Sequence, residues 1–585
     1  MTRLLSRSNN GKVFNTFTPG RLFGAGEVGV WYDPSDLTTL YQDTAGTTPV
    51  TAAGQTVALM LDKSRGLVLG SELVSNGDFA NGSTGWTLDP SWSVSGGAAS
   101  TNSTGVISQA VAGAPRWLRV QFDILAISGA IAANYGQTNW LHNSQGPIYN
   151  STGTKVSYIQ INPSASSGSM QVYFQTFSAG QTATIDNISV RELPGNHATQ
   201  ATAASRPTYG VVPLGGRRNL LTYTEQFDNA AWAKDGLTVT QVSGAEWSLV
   251  EGTNTTRKSI QAVSIGLLNG RLSVEAKPNG RNFIAIGSTN GAGIWSVYLF
   301  NIATGTAVGG YQASGVAIPT NPTITSVGDG WYRVGVTLQT AERPVIMIGN
   351  GGDPIFEGYT GNGTSGVRIR RPQLESGSTA TAYQRVVSQY DVTEAGVQSL
   401  SYLSFDGVDD RMATSIAVNF SATDKMTVFG GVRKIGAGTY ASLIDLGDNP
   451  TGVAGGLSFY VNGGGANNVA IANYSVGARA EAIFSPVNTG ANLVLTSQHD
   501  RGGTTGALSE LSLRSNGVSV SGWQDGSASG STGNFGSYVL YVGMRTRGDL
   551  FYNGQLYGII VRGAATDTLS IQRTESWLNK RTGAY

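Results

Sequence analysis

Hydrophobic and polar residues alternate in short runs along most of this chain, and the pattern is sharpest in its last third. In residues 402–410 (YLSFDGVDD), Leu403 and Phe405 alternate with Ser404 and then meet Asp406-Gly407. That predicts a half-buried strand ending in a tight turn. Similar runs follow at 426–429 (MTVF), 457–461 (LSFYV), 493–496 (LVLT), 511–513 (LSL), 538–542 (YVLYV) and 556–561 (LYGIIV), separated by Gly, Asn and Asp clusters. Such a series predicts an antiparallel sandwich. At the end the period changes. Ser570 reads as the cap of a short helix with Ile571, Thr574, Trp577 and Leu578 on one side, stopping before Gly583.

Upstream, 28–32 (VGVWY) predicts a strand, Asp33-Pro34-Ser35-Asp36 a turn or helix cap, and 47–62 a further turn and strand. Asp33 and Asp36 resemble metal ligands only superficially, because Asp-Pro-Ser-Asp is an ordinary capping turn. From Glu72 the pattern restarts. Runs such as 117–124 (WLRVQFDI) and 170–177 (MQVYFQTF) alternate at period two, as one-side-buried sheets should.

Composition sharpens this picture. With 585 residues the chain is several domains long, and its 80 glycines, 13% charged and 40% hydrophobic residues favour turn-rich all-β structure over disorder. A net charge of +1 gives no electrostatic case for nucleic acid or an anionic membrane. There is no cysteine, so cores or oligomerisation must hold the domains. Neither a signal peptide nor a membrane span is expected. Residues 1–25 are polar, with Arg3, Arg7, Lys12 and Arg21 among Phe14, Phe17 and Phe23, and read either as a frayed terminus or as an arm that orders on docking to a partner.

The strand "FDGVDD", the later "GQLYGIIV" and the closing "ESWLNKRTG" together resemble a concanavalin A-like, laminin-G-like jelly roll of the kind found in bacteriophage virion proteins. The segments "WYDPSDLTTLYQDTAGTTPVTAAGQTVALMLDKS" (31–64) and "GNHATQATAASRPTYG" (195–210) are similar to that family's opening pieces. The resemblance implies one discontinuous domain built from residues 26–64, 195–215 and 396–585. Residues 71–193, opening with "ELVSNGDFANGSTGWTL" and closing with "ATIDNISVREL", resemble a carbohydrate-binding-module-type jelly roll. Residues 219–385, from "NLLTYTEQFDNAAW" to "VRIRRPQLESGSTATAYQR", resemble a second jelly-roll module of phage tail and head fibres. The expected fold is therefore all-β: three antiparallel β-sandwich (jelly-roll) domains, one of them split, plus the C-terminal helix.

Sugar recognition needs aromatic faces to stack on pyranose C–H bonds and planar polar groups to fix hydroxyls. The first module offers Trp92, Tyr135, Trp140, His142, Asn143 and Tyr149, with Trp86 assigned to its core; the second offers Trp295, Tyr298, Tyr311 and Tyr359. For each ring, packing in the core is the competing role. One ring of Trp331-Tyr332 is expected to be buried. Both resembled module types often carry structural calcium, for which Asp78, Asp186 and Glu192, and Asp406, Asp409 and Asp410, are the candidate oxygens. Three histidines in three segments, His142, His197 and His499, and the absence of hydrolase or phosphate-loop motifs speak for a non-enzyme. The resemblance implies an external virion protein of the tail (fibre, tip or baseplate), assembled in the host cytoplasm, trimeric, and binding host-surface glycan during adsorption. A head fibre and a tailspike depolymerase are the alternatives.

Overall fold

The computed structural model describes residues 5–7, 13–15, 17–111, 117–137, 146–161, 170–290, 294–313, 315–341, 343–351, 358–436, 440–447, 453–463, 467–485, 490–502, 507–524 and 531–585. About 53% of the chain is strand and 5% helix, so the all-β sandwich class expected from the alternation is what forms. Among the described residues no helix is long and apolar enough to cross a membrane. The chain divides into two compact units, one of residues 1–210 with 401–585 and one of residues 211–400.

In the first unit, the C-terminal sandwich is organised on the strand Asn553–Arg562. Lys425–Lys434 pairs with it along one edge. The other edge is shared end to end: Leu403 to Asp406 pair with its first half, and Gly29–Tyr32 pairs with Ile559 to Arg562. The opposing sheet begins with Leu40–Tyr41, Leu59–Met60 and Ala198–Thr199 and continues through Met412–Thr414, Leu540–Val542, Tyr440–Leu446, Gly456–Gly463, Val469–Ser475, Ala478–Phe484 and Gly522–Gln524. Strands from three distant stretches thus complete one sandwich. Leu457, Phe459, Val461 and Ile471 face its interior and are fully buried.

A buried carboxylate fastens the upstream strands. Asp62 Oδ1 accepts from the Trp31 and Ser64 amides, both at 2.8 Å, and Oδ2 from the Asn196 amide and Ser64 Oγ, also at 2.8 Å. The Asp62 amide in turn donates to His197 Nδ1 at 2.9 Å, and Asn196 Nδ2 donates to the Gly29 carbonyl at 2.9 Å. Burial pushes the Asp62 pKa up, while its backbone hydrogen bonds pull against that shift.

The helix Thr568–Thr582 lies on the outer face of the sheet that holds Asn553–Arg562. Ile571, Trp577 and Leu578 cluster there with Trp31, Phe429, Val494 and Ile560, and Trp577 meets Trp31 edge-on at 5.6 Å. Its cap is Asp567, not the expected Ser570: the Asp567 side chain accepts from the Ser570 amide at 2.9 Å, and the helix starts a residue after it. Gly583 closes the helix at φ 58°, a left-handed conformation that glycine adopts without a Cβ clash. Asp36 caps the short helix Leu37–Thr39, and Asp33 is buried against Lys63 and Arg581, so both keep structural roles.

The first inserted module has two five-stranded sheets, Gly153–Gln160 to Trp92–Ser95 and Ile148–Tyr149 to Thr87–Leu88, enclosing Phe79, Trp86, Phe122 and Phe174. It is seated on its host by an apolar seam of Leu59, Leu61, Trp117 and Leu193, with the Trp117 ring edge-on to His197 at 5.2 Å. The second unit contains two six-stranded sheets, led by Trp232–Asp235 and Leu237–Ser243, closing on Phe227, Trp232 and Trp247.

The two described histidines set an acid limit on stability. Burial lowers the His197 pKa to about 4 and that of His499 to about 3. An imidazole in the unfolded chain protonates near pH 6.5, so its stabilising contribution is complete above that value and is lost as pH falls toward the folded value. Each histidine then costs up to about 1.4 kcal/mol per pH unit. Melting temperature should drop steeply between pH 7 and 5, and the double variant His197→Asn/His499→Asn should show a flatter profile whatever its stability at pH 7. An unchanged slope would mean that both imidazoles take up protons in the folded chain.

Candidate functional site

Strand alternation decides where an aromatic ring points, and it sends several of the expected platform rings inward. Trp92 (4% exposed) opens the strand Trp92–Ser95 and Tyr135 (1%) lies on Ile131–Gln137, both in the first module's core. Trp295 (5%) starts Trp295–Asn301 and clusters with Ala285, Val345 and Met347. These three rings act in packing and present no open face to a sugar, which corrects the sequence expectation. Tyr149 is half-buried, edge-on to Phe122 at 5.5 Å with Lys155 Nζ 5.9 Å from its ring. Tyr298 and Tyr311 are half-buried as well. Trp331 is buried beneath the Arg370 guanidinium at 4.1 Å, and Tyr332 is half-buried. Trp140, His142 and Asn143 lie outside the described residues.

Tyr359 is where polar groups converge. Glu251 ends the strand Glu246–Glu251, Lys258 precedes Ser259–Ala262, Arg281 follows Leu267–Asn279, and Tyr359 and Asn362 precede Gly366–Ser376. The fold of the second unit brings these separate termini together. Glu251 accepts from Arg281 Nε at 2.9 Å and Nη2 at 2.6 Å, from the Tyr359 hydroxyl at 2.7 Å and from the Asn362 amide at 2.8 Å. Burial raises the Glu251 pKa, but these donors outweigh it and hold the carboxyl below its ordinary value. The Tyr359 phenol is pushed up by burial and by Glu251.

Cations gather around this carboxylate. Lys258 Nζ and the Arg281 guanidinium each lie 5.6 Å from the Tyr359 ring, and Arg257 lies 4.7 Å over Trp295. Lys258 Nζ donates to the Asn254 carbonyl at 2.8 Å, and burial lowers its pKa. Two expected rings, Trp295 and Tyr359, are thus linked through the adjacent residues Arg257 and Lys258. Glu251, Lys258 and Arg281 escaped the sequence reading because each sits alone at a strand end. Glu251 and Lys258 are buried, so the groups this cluster turns outward are the half-buried Tyr359 and Arg281, a phenol and a planar guanidinium of the kind that fix hydroxyls.

The turn after Leu403 and Phe405 folds around Asp406. Its Oδ1 accepts from the amides of Val408 (2.8 Å), Asp409 (3.2 Å) and Asp410 (3.3 Å), and its own amide donates to Asp410 Oδ2 at 3.0 Å. Asp406, Asp409 and Asp410 place one carboxylate oxygen each within 4.8 Å of one another. Among the described residues Asp78, Asp186 and Glu192 form no such group. Burial first, then Asp406 and Asp409, push the Asp410 pKa up to about 7. Three hard oxygens this close together are the ligand type of a calcium ion, which would supply neutralising charge and a link across the turn.

No protein-family model matches the sequence, and no curated protein matches it. Solved structures align in part. The NanB sialidase from Streptococcus pneumoniae does so at 12% identity and TM-score 0.19, over 26% of this chain and 25% of that one. A putative carbohydrate-binding protein from Bacteroides ovatus aligns at 9% identity and TM-score 0.21, over 54% and 77%. Domains LG4-5 of the mouse laminin alpha1 chain align at 12% and 0.20, over 58% and 93%. The chain therefore spans about a quarter of the sialidase it aligns with.

The raised Asp410 pKa carries a test. The folded chain keeps a proton there that the unfolded chain loses near pH 4, so this contribution is complete below that value and disappears as pH rises through about 7. At pH 8 in a chelator, Asp410→Asn should melt above the native chain by a few degrees, at roughly 2–4 °C per kcal/mol. Millimolar calcium should raise the native chain's melting temperature more than the variant's. Equal response of both, or none, would show that the three aspartates hold no ion.

Proposed function

We propose that this chain is a non-enzymatic, glycan-binding structural protein of a bacteriophage tail, acting in host adsorption. The observation that carries the reading is the Glu251–Arg281–Tyr359 cluster with Lys258, a preorganised set of planar hydrogen-bonding groups at one end of a sandwich module. A virion role draws on the resemblance of residues 219–385 and of the closing strands to phage fibre modules. Both described histidines are buried as neutral hydrogen-bonding groups, roles that suit scaffolding better than proton transfer. Several shallow sites on a trimer would gain avidity because linked copies raise effective concentration without new contacts.

The test is direct. Pure protein incubated with host capsular polysaccharide or lipopolysaccharide should be retained on the glycan-coated surface while glycan chain length, read by gel and mass spectrometry, stays constant. Arg281→Ala should weaken retention by about tenfold, the scale of one charge-assisted contact. Progressive shortening of the glycan would replace this reading with a depolymerase.

A further inference from the structure

Strand register gathers four arginines and a lysine of the second unit on one sheet face. Glu275 is directly opposite Arg370 on one neighbouring strand and Arg333 on the other, and two residues further on Lys277 is opposite Arg368. Directly opposed residues share a sheet face. The positions between them, Val274, Ala276, Val334 and Ile369, belong to the core of the sandwich, so this group faces outward. Arg371 joins it through a bulge. The register shifts between Ser273 and Glu275, so that Arg371 and Pro372 together oppose Val274, and Arg371 takes φ 52°. A bulge re-aims a side chain, and a left-handed backbone is costly for a residue other than glycine.

These cations outnumber the carboxylates that hold them. Glu275 is buried and takes three guanidinium partners, Arg370 at 2.7 Å, Arg333 at 3.4 Å and Arg371 at 3.6 Å. Arg368 pairs with Glu246 at 2.7 Å. Among the described residues Lys277 is in no ion pair, and Asp329 in the adjoining turn pairs with none of the five. The four arginine side chains stay 25–46% exposed, so the face is open where its charge stands. It covers three adjacent strands, roughly 10 Å across at ordinary strand spacing. Trp331 lies beneath it, buried, with the Arg370 guanidinium 4.1 Å over its ring.

We propose that this arginine-rich face binds an acidic polysaccharide through the carboxylate or sulfate groups that the polymer carries. Each guanidinium keeps N–H donors beyond those spent on Glu275 or Glu246, in a planar fork that fits an oxyanion. Lys277 adds a charge that no carboxylate of the chain claims. The buried Glu275 holds three of the arginines in place before a ligand arrives, which lowers the cost of ordering them. One small anion would engage one or two of these cations, whereas a chain with charges on successive sugars engages several at once. Nucleic acid is the other extended polyanion, but single strands are held by stacking bases on open rings, and here Arg370 covers Trp331. The inference deepens the glycan-binding reading above and rests on it.

The test compares the full chain with Lys277→Gln, Arg371→Gly and the double variant. Lys277→Gln removes a charge that is in no ion pair, and Arg371→Gly puts glycine where φ is positive, so neither should lower the melting temperature. The probes are immobilised polygalacturonate and dextran sulfate, with uncharged dextran and a double-stranded DNA fragment beside them. The native chain should bind an acidic polymer and not dextran, and more weakly as salt is raised. Each single variant should lose about fivefold in affinity, the scale of one partly exposed charge pair, and the double variant more. Binding of polygalacturonate alone would assign the face to carboxylates, and binding of dextran sulfate alone to sulfates. If the double variant binds as well as the native chain, the placement on this face is wrong. DNA bound as tightly as the acidic polymers would make it a general polyanion surface and overturn the assignment. If the native chain binds neither acidic polymer yet is retained on host glycan, this inference falls and the glycan-binding reading stands; retained on nothing, both fall.

Discussion

One buried carboxylate governs how this chain closes on itself. Asp62 accepts four hydrogen bonds, from Trp31, Asn196 and twice from Ser64, while its own amide is held by His197. These partners belong to the segments that supply Gly29–Tyr32 to one sheet and Leu59–Met60 and Ala198–Thr199 to the other. Each buried donor left without its acceptor costs on the order of 1–3 kcal/mol, so the node is worth keeping intact as a unit. It also explains how the first module can interrupt the sandwich. The chain leaves after Ser64 and returns at Asn196, and both ends are bonded to the same side chain. Insertion between fixed, neighbouring points adds little closure entropy.

Much of the fold was legible because burial imposes period two on a strand. The runs at 457–461 and 493–496 lie within the strands Gly456–Gly463 and Asn492–Asp500, and Ile571, Thr574, Trp577 and Leu578 all bury on one side of the helix. Partner choice was not legible in the same way. The run 538–542 reads as one strand, yet Ser537–Tyr538 pairs with Val418–Asn419 while Leu540–Val542 joins Met412–Thr414 and Tyr440–Leu446. Alternation constrains which side of a strand is buried and says nothing about its neighbour. The helix cap shifted to Asp567 because a carboxylate three residues before an amide is as good an acceptor as a serine hydroxyl, and it was there first.

Site residues were harder to read, for the complementary reason. Trp92, Tyr135 and Trp295 stood out as aromatics, but each falls on a strand position whose side chain points inward. Tyr359 lies in a loop, and its partners Glu251, Lys258 and Arg281 come from three strand ends far apart in sequence.

The central claim is that residues 29–64 and 195–199 are integral strands of the C-terminal sandwich, held through Asp62. Hydrogen–deuterium exchange of the full-length Asp62→Ala variant tests it most directly. The account predicts a joint loss of amide protection at residues 29–32, 59–60 and 198–199 and, across the sheets, at 559–562 and 413–414. Loss confined to residues 62–64, with 559–562 as protected as in the native chain, would contradict it.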